Sequence, residues 1–183
     1  MTAAAGLANV SAMPSDKSGL SWRAFVRPGD IVFDVGANVG AKTDLFLSCG
    51  ARVVCVEPQP DCVAVLGKQF GGNPRVTIIA KGLAEKPGVL DLSICSAAHT
   101  ISTFAERWKT GRFANYKWDK VIPVPVTTLD ELIQAHGVPR YCKIDVEGFE
   151  LSVLRGLTRP VPLVSFEFAR EFLDSARMCI AYL

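Results

Sequence analysis

The chain has 183 residues, 49% of them apolar, with a mean hydropathy of +0.25 and a formal net charge of +2. That is enough for one domain with a substantial core, and the charge is spread without the basic runs of a nucleic-acid footprint, so no nucleic-acid partner is expected. No apolar run reaches the roughly 18 residues that cross a bilayer, which argues against a membrane partner. Six cysteines (Cys49, Cys55, Cys62, Cys95, Cys142, Cys179) lack C-x-x-C spacing. They read as buried free thiols in a reducing, cytoplasmic compartment, not as a zinc site.

Residues 1–21, rich in Ala, Ser and Gly and without the basic start of a secretory signal, read as a flexible arm, leaving residues 22–183 as the domain. Trp22, Phe25 and Val26 form a short packing segment, with Trp22 assigned to the core. Ile31, Val32 and Phe33 are an uninterrupted β-favouring run, as in a parallel strand covered on both faces, with Asp34 at its carboxyl end. Gly36 permits a tight turn and close backbone approach to a ligand, and residues 39–49 read as the following helix, closed by Gly50.

The turn Gly36-Ala-Asn-Val-Gly40 does not spell a dinucleotide fingerprint, because Asn38 stands at the second glycine and Gly40 comes one residue early for the third. Asp34 would also repel a pyrophosphate placed at the helix N-terminus. S-adenosylmethionine, a nucleoside that carries an amino acid, suits better: Asp34 answers its ammonium, directly or through water, and turn amides answer its carboxylate. Residues 52–56 form the next strand, ending in Glu57-Pro58. Glu57 lies 21 residues past Gly36, close to the spacing at which an acid accepts hydrogen bonds from ribose hydroxyls.

Val63, Leu66 and Phe70 mark a helix over residues 61–70 with Asp61 as its cap, and residues 75–80 form a third strand. Gly82 and Leu83, just beyond it, are placed to lie along an adenine ring. Pro87-Gly88 and the alternation over residues 89–94 predict an appended β-hairpin. Residues 96–120 lose the pattern and mix aromatics with bases, as a lid or binding loop does, so the acceptor side belongs here. Taken singly, Trp108, Phe113, Tyr116 and Trp118 serve to pack that insert down onto the sheet.

Residues 121–126 form a strand whose prolines confine it to an edge or exclude it from the main sheet; it is expected to pair with the hairpin. A helix follows over residues 127–136, capped by Thr127 or Thr128 with Glu131 in the capping-box position and stopped by Gly137. Residues 141–145 are a buried strand ending in Asp145. A helix opened by residues 147–150 follows, with Glu147 and Glu150 read as first-turn acids favoured by the helix dipole. A strand over residues 162–168 and a closing helix complete the chain. The fold class is therefore α/β, a Rossmann-like, doubly wound, mostly parallel sheet with an inserted hairpin. Asp34, Glu57 and Asp145 stand where three strands end, the edge at which such sheets bind ligands.

The blocks Asp34-Val-Gly-Ala-Asn-Val-Gly40, Glu57-Pro58, Thr128-Leu-Asp130 and Lys143-Ile-Asp-Val-Glu-Gly-Phe-Glu150 resemble the signatures of FkbM-type methyltransferases, over roughly residues 28–168. The resemblance implies a class I methyltransferase that uses S-adenosylmethionine and forms O-methyl ethers on hydroxyls of sugars, polyketides or other small natural products. Ser102-Thr103-Phe104 resembles the family's Ser-rich loop, which adds Ser102 to the expected cofactor contacts Asp34, Gly36, Asn38, Gly40, Glu57, Pro58, Gly82 and Leu83. Asp145 and His99 are the expected catalytic residues, His99 because an imidazole takes a proton near neutrality. Mg²⁺ held by Asp145 is a less favoured alternative. The fold so implied ordinarily continues past Phe168 with a further helix and an antiparallel strand pair. The expectation is therefore a chain shortened at its C-terminus, or a second copy or partner covering the exposed edge. The competing readings are an NAD-dependent Rossmann oxidoreductase and a non-catalytic nucleoside-binding module.

Overall fold

The computed structural model describes residues 22–183, and the arm expected over residues 1–21 lies outside the described residues. In chain order the strands are β1 (Ile31–Val35), β2 (Arg52–Val56), β3 (Val76–Ile79), β4 (Gly82–Leu83), β5 (Gly88–Ile94), β6 (Lys120–Thr127), β7 (Tyr141–Ile144) and β8 (Val164–Phe166). The helices are α1 (Ala41–Ser48), α2 (Pro60–Phe70), α3 (Leu129–His136), α4 (Glu150–Arg155) and α5 (Leu173–Tyr182). The main sheet is all parallel, in the order β3-β2-β1-β7-β8. The chain steps outward from β1 to β3 and then returns to the other side of β1, so the topological switch lies between β1 and β7.

Successive side chains of a strand point to opposite faces, and this sorts the core into two layers. Phe33, Val35, Val54, Val56, Cys142 and Ile144 face α3 and α4 through Leu129, Leu132, Ile133, Val153 and Leu154. Val32, Val53, Cys55 and Tyr141 face α1 and α2 through Phe46, Leu47, Leu66 and Phe70. Trp22 belongs to this second layer, edge-on to Phe46 with ring centroids 5.5 Å apart, so it is core as expected. All six cysteines are free and buried.

The appended strands differ from the expected hairpin. β5 pairs antiparallel with β6 from Gly88↔Val126 to Ile94↔Lys120, across the whole insert, and β4 pairs parallel with β6, giving the order β4-β6-β5. β6 is thus the middle strand, yet β4 reaches only Val126 and Thr127. Beside Pro123 and Pro125 one side of β6 stays open, which is how a middle strand tolerates two missing N–H groups. Nor do the aromatics expected to hold the insert pack on the main sheet. Trp108 and Phe113, with Cys95 and Ile101, close over Ala169 and Phe172 beyond β8, while Tyr116 remains exposed.

Two helix starts are set by local chemistry. Thr128 caps α3, its hydroxyl accepting from the Glu131 amide at 3.1 Å, while the Glu131 carboxylate takes the Thr127 hydroxyl instead of reaching back to the cap. α2 begins at Pro60, with Gln59 and not Asp61 at the cap, because proline at the first helical position needs no N–H partner. No helix of the described residues is long and apolar enough to cross a membrane.

Candidate active site

A cleft of about 310 Å³ opens at the carboxyl ends of β1, β2 and β7. Its floor is the contact between the ends of β1 and β7. The Asp145 amide donates to the Val35 carbonyl at 3.1 Å, and a Cβ at Gly36 would lie 1.8 Å from the Asp145 carbonyl oxygen. Gly36 also sits at φ +71, so only glycine fits both the conformation and the space. Asn38, at φ 51, takes the left-handed conformation that Asn tolerates, and its amide donates to Glu57 Oε2 at 2.8 Å. The glycine turn after β1 is thereby tied to the acid that ends β2.

Of the eleven residues expected here from sequence, the cleft wall includes Gly36, Asn38, Glu57, Pro58, Gly82, Leu83, His99, Ser102 and Asp145. The Ser102 hydroxyl is buried without a partner. Glu57 is 6% exposed, and Oε1 accepts from the Gln59 amide at 2.8 Å. Burial pushes its carboxyl above the usual range while the amides of Gln59 and Asn38 pull it back. Each of its oxygens keeps a second lone pair for a ligand hydroxyl.

Two expected residues do not line the cleft. Asp34 shares a strand face with Val32, so it points toward α1 and is fully buried, accepting from the Thr43 hydroxyl at 2.7 Å and paired with Lys143 at 3.3 Å. It is not free to meet a ligand ammonium directly. Gly40, at φ +90, is needed for packing: a Cβ there would lie 2.4 Å from the Phe70 ring. The turn amides are also spent, those of Gly36 and Ala37 on Val56, Asn38 on Glu57, Val39 on the Asn38 side chain and Gly40 on Ala37. A ligand carboxylate must therefore be met elsewhere, and Lys42 at the start of α1 is on the same wall.

Sequence reasoning gave no role to Lys143, which is buried directly across from Asp34 in the β1–β7 pairing. Its ammonium lies 3.3 Å from both Asp34 and Asp145 and donates to the Gly36 carbonyl at 2.9 Å. Burial alone would lower its pKa, but the two carboxylates outweigh that and hold it above the usual lysine range, so it is charged. Lys143→Met should cost about 3–5 kcal/mol by leaving Asp34 uncompensated, and adding Asp34→Asn should recover most of the loss. Urea unfolding of the single and double variants checks this; equal stability of Lys143→Met and wild type would contradict it.

Glu147 is not a first-turn acid. α4 starts at Glu150, and Glu147 occupies a left-handed turn at φ 53, on the cleft wall, with its carbonyl accepting from the Thr103 hydroxyl at 2.6 Å. Glu150 is buried and ties that turn, Oε1 accepting from the Val146 and Gly148 amides at 3.1 Å each. Glu167, just past β8, completes a group with Asp145 and Glu147 whose carboxylate oxygens lie within 4.8 Å of one another. The sequence pattern, which runs that strand to Phe168, gives Glu167 no role; it becomes a strand-end acid because β8 stops at Phe166. His99 is exposed at the mouth of the cleft.

Burial, then the carboxylates of Asp145, Glu167 and Glu150, push Glu147 up to about 8; contact with Asp145 and then burial push Glu167 up to about 7. Both groups hold their protons longer folded than unfolded. Between their ordinary value of 4.5 and those raised values the unfolded chain binds fewer protons, so stability falls as pH rises across that window. Glu147→Gln should shrink the fall in Tm between about pH 4.5 and 8, measured by calorimetry; an unchanged slope would remove Glu147 as its source.

Residues 34–174 match the family described as the methyltransferase FkbM domain. The chain is similar to the hexuronic acid methyltransferase AglP of Haloferax volcanii, 28% identical over 144 residues covering 75% of this chain and 54% of that protein. It also resembles ribosomal RNA small subunit methyltransferase A of Geobacter metallireducens, 34% identical over 105 residues, covering 57% of this chain and 34% of that one. The chain thus spans about half the length of the first relative and a third of the second. A solved structure titled a putative rRNA-methylase, from Clostridium thermocellum, aligns over 36% of this chain and 39% of that one at 28% identity with a TM-score of 0.33, too little to bear on the fold or the site. With the family match running from the acid of β1 into α5, this chain belongs to the FkbM methyltransferase family.

Proposed function

We propose that the cleft binds S-adenosylmethionine and that the domain transfers its methyl group to a hydroxyl of a small-molecule acceptor. The observation that carries the reading is the convergence of the glycine turn, Glu57 and Asp145 on one cleft at the switch point, with Glu57 fixed by the Asn38 and Gln59 amides so that its free lone pairs can accept from a ligand hydroxyl. Bound there, the cofactor supplies an electrophilic methyl on a sulfonium. Glu57 accepts hydrogen bonds from the ribose, Leu83 and Pro58 give the adenine apolar surface, and Lys42 and Ser102 answer the amino-acid end. Asp34 acts at one remove, by holding Lys143 and through it the turn.

Asp145 and His99 are the groups proposed to take the acceptor proton. Lys143 already sets a positive charge beside Asp145, and the carboxylates of Asp145, Glu147 and Glu167 are the groups that would hold Mg²⁺ in the less favoured, metal-assisted alternative. Positioning contributes about 7–11 kcal/mol in such transfers against the roughly 10²- to 10⁴-fold of a general base, so the cofactor contacts outrank any single proton acceptor. Sugar hydroxyls are the first acceptor class to test, in keeping with the Haloferax relative.

S-adenosylhomocysteine should bind and NADH should not, as measured by calorimetry. Glu57→Ala should weaken S-adenosylhomocysteine by about 1.5–3 kcal/mol, the scale of hydrogen bonds to a charged group. NADH binding without S-adenosylhomocysteine binding would replace this reading with the oxidoreductase one, and unchanged affinity in Glu57→Ala would take that residue out of the site.

A further inference from the structure

The two ends of the parallel sheet carry opposite charge. At the carboxyl ends of the strands stand Asp34, Glu57, Asp145 and Glu167. At the other end the chain enters the strands through Arg27-Pro-Gly-Asp30, Gly50-Ala-Arg52, Asn73-Pro-Arg75 and Gly137-Val-Pro-Arg140, with Arg23 just ahead of the first. Asp30 is the one acid in those four turns, and all five arginines are exposed. Residues 1–21 add Asp16 and Lys17, one acid and one base, and leave that balance unchanged. Because the arginines are far apart in the chain, the charge looks evenly spread in sequence; folding gathers it.

Strand pairing sets three of them in a row. Ile31 lies opposite Arg52, Val53 lies opposite Val76 so that Arg52 is beside Arg75, and the Arg140 amide donates to the Ile31 carbonyl at 2.8 Å. Arg75, Arg52 and Arg140 thus head three of four adjacent strands, with about 5 Å between neighbouring strands. Part of this charge has a structural use. Arg23 Nη2 donates to the Ser48 carbonyl at 2.9 Å and Arg75 Nη1 to the Leu47 carbonyl at 3.1 Å, both in the last turn of α1, where the helix dipole favours cations. Arg140 Nε donates to the Phe25 carbonyl at 3.3 Å. Such a bond uses one of the five N–H groups of a guanidinium and leaves the others for a partner. Arg27 and Arg52 have no such use, since Asp30 takes the Arg27 backbone amide and none of the five arginines is ion-paired among the described residues. Like charges gathered without counter-ions repel, and a partner of opposite charge offsets that cost.

We infer that the strand-start end docks on an anionic phospholipid surface, its arginines on lipid phosphates and the cleft turned away. Guanidiniums pair with phosphate oxygens two at a time, and the opposite charges at the two ends orient the molecule in the field of such a surface. Val138, 52% exposed in the turn before Arg140, adds an apolar contact to the basic face. Surface docking needs no membrane-spanning run. Nucleic acid fits less well: the turns present no helix or ribbon for a groove, and the aromatics beside them, Trp22 and Phe25, are packed on Phe46 and Tyr141 instead of being offered to bases. Strands of four or five residues separate this face from the cleft, a distance of about 15 Å. The surface is therefore a place of attachment and not the methyl acceptor, and the inference stands apart from the methyl-transfer reading.

The test is co-sedimentation of the full chain with vesicles of phosphatidylcholine, alone or with about 30% phosphatidylglycerol. The protein should bind the anionic vesicles at low salt, leave them as salt rises, and ignore the neutral ones. Arg27→Gln and Arg52→Gln should each weaken binding about fivefold. Neither side chain is hydrogen-bonded among the described residues, so both variants should keep the wild-type melting temperature. Lys117→Gln, which removes the same charge from an exposed position on the insert, should change binding by less than about twofold. No binding to anionic vesicles at low salt, equal binding to neutral ones, or arginine variants that bind as wild type or no worse than Lys117→Gln would each overturn the inference. Tighter binding to single-stranded or duplex RNA than to vesicles at matched phosphate, read by fluorescence anisotropy, would assign the face to nucleic acid instead.

Discussion

The site depends on one buried ammonium. Lys143 Nζ lies between Asp34 and Asp145 and donates to the Gly36 carbonyl, so a single charge joins the last turns of β1 and β7 where the sheet changes direction. A lysine in the interior is costly unless paired, and a fully buried aspartate more so; each makes the other tolerable. From that anchor the geometry propagates by short steps. Fixing the Gly36 carbonyl fixes the turn, the turn presents the Asn38 amide, and that amide holds one oxygen of Glu57. The residue proposed to recognise ribose is therefore oriented by a charge on the far side of the turn.

Much of this was legible in the sequence because it follows from local rules. Strands ending in acids, a glycine turn and the 21-residue step to Glu57 place the cleft without any knowledge of packing. What failed was direction. Asp34 stands at the right end of the right strand, but the alternation from Val32 turns it toward α1, where Thr43 and Lys143 meet it. Gly40 reads as part of a binding turn only until α2 is placed, since it is the Phe70 ring that leaves no room for a Cβ. The prolines of β6 predict an edge strand or one outside the main sheet; it does lie outside, and in its own sheet the neighbour β4 is too short to reach them.

The residues that were missed have a common cause. Lys143 is the one charged residue of β7, a four-residue strand whose positions are all buried, and such a charge needs a partner; the partner could be named only once β1 and β7 were known to be adjacent. Glu147 was absorbed into a helix that begins three residues later, because Glu-Gly-Phe-Glu looks like a first turn until its positive φ values at Glu147 and Gly148 are seen. Glu167 ends a strand in the same way as Asp145 does. The sequence pattern carries that strand on to Phe168 and leaves Glu167 inside it, whereas β8 stops at Phe166.

The acidic surroundings of Lys143 bear on how the proposed reaction would be driven. Asp145, Glu147 and Glu167 are crowded enough that two of them hold protons well above the ordinary carboxyl range. A cation entering the neighbouring cleft favours their ionised forms, so its binding is linked to proton release in the manner of any charge that stabilises a nearby carboxylate. Methyl transfer removes that charge, because the sulfonium becomes a neutral thioether. In the proposed reaction the carboxylates that favour the cofactor would then have less reason to hold the product. On that proposal, crowding that costs the empty fold stability would become a difference in affinity between cofactor and product.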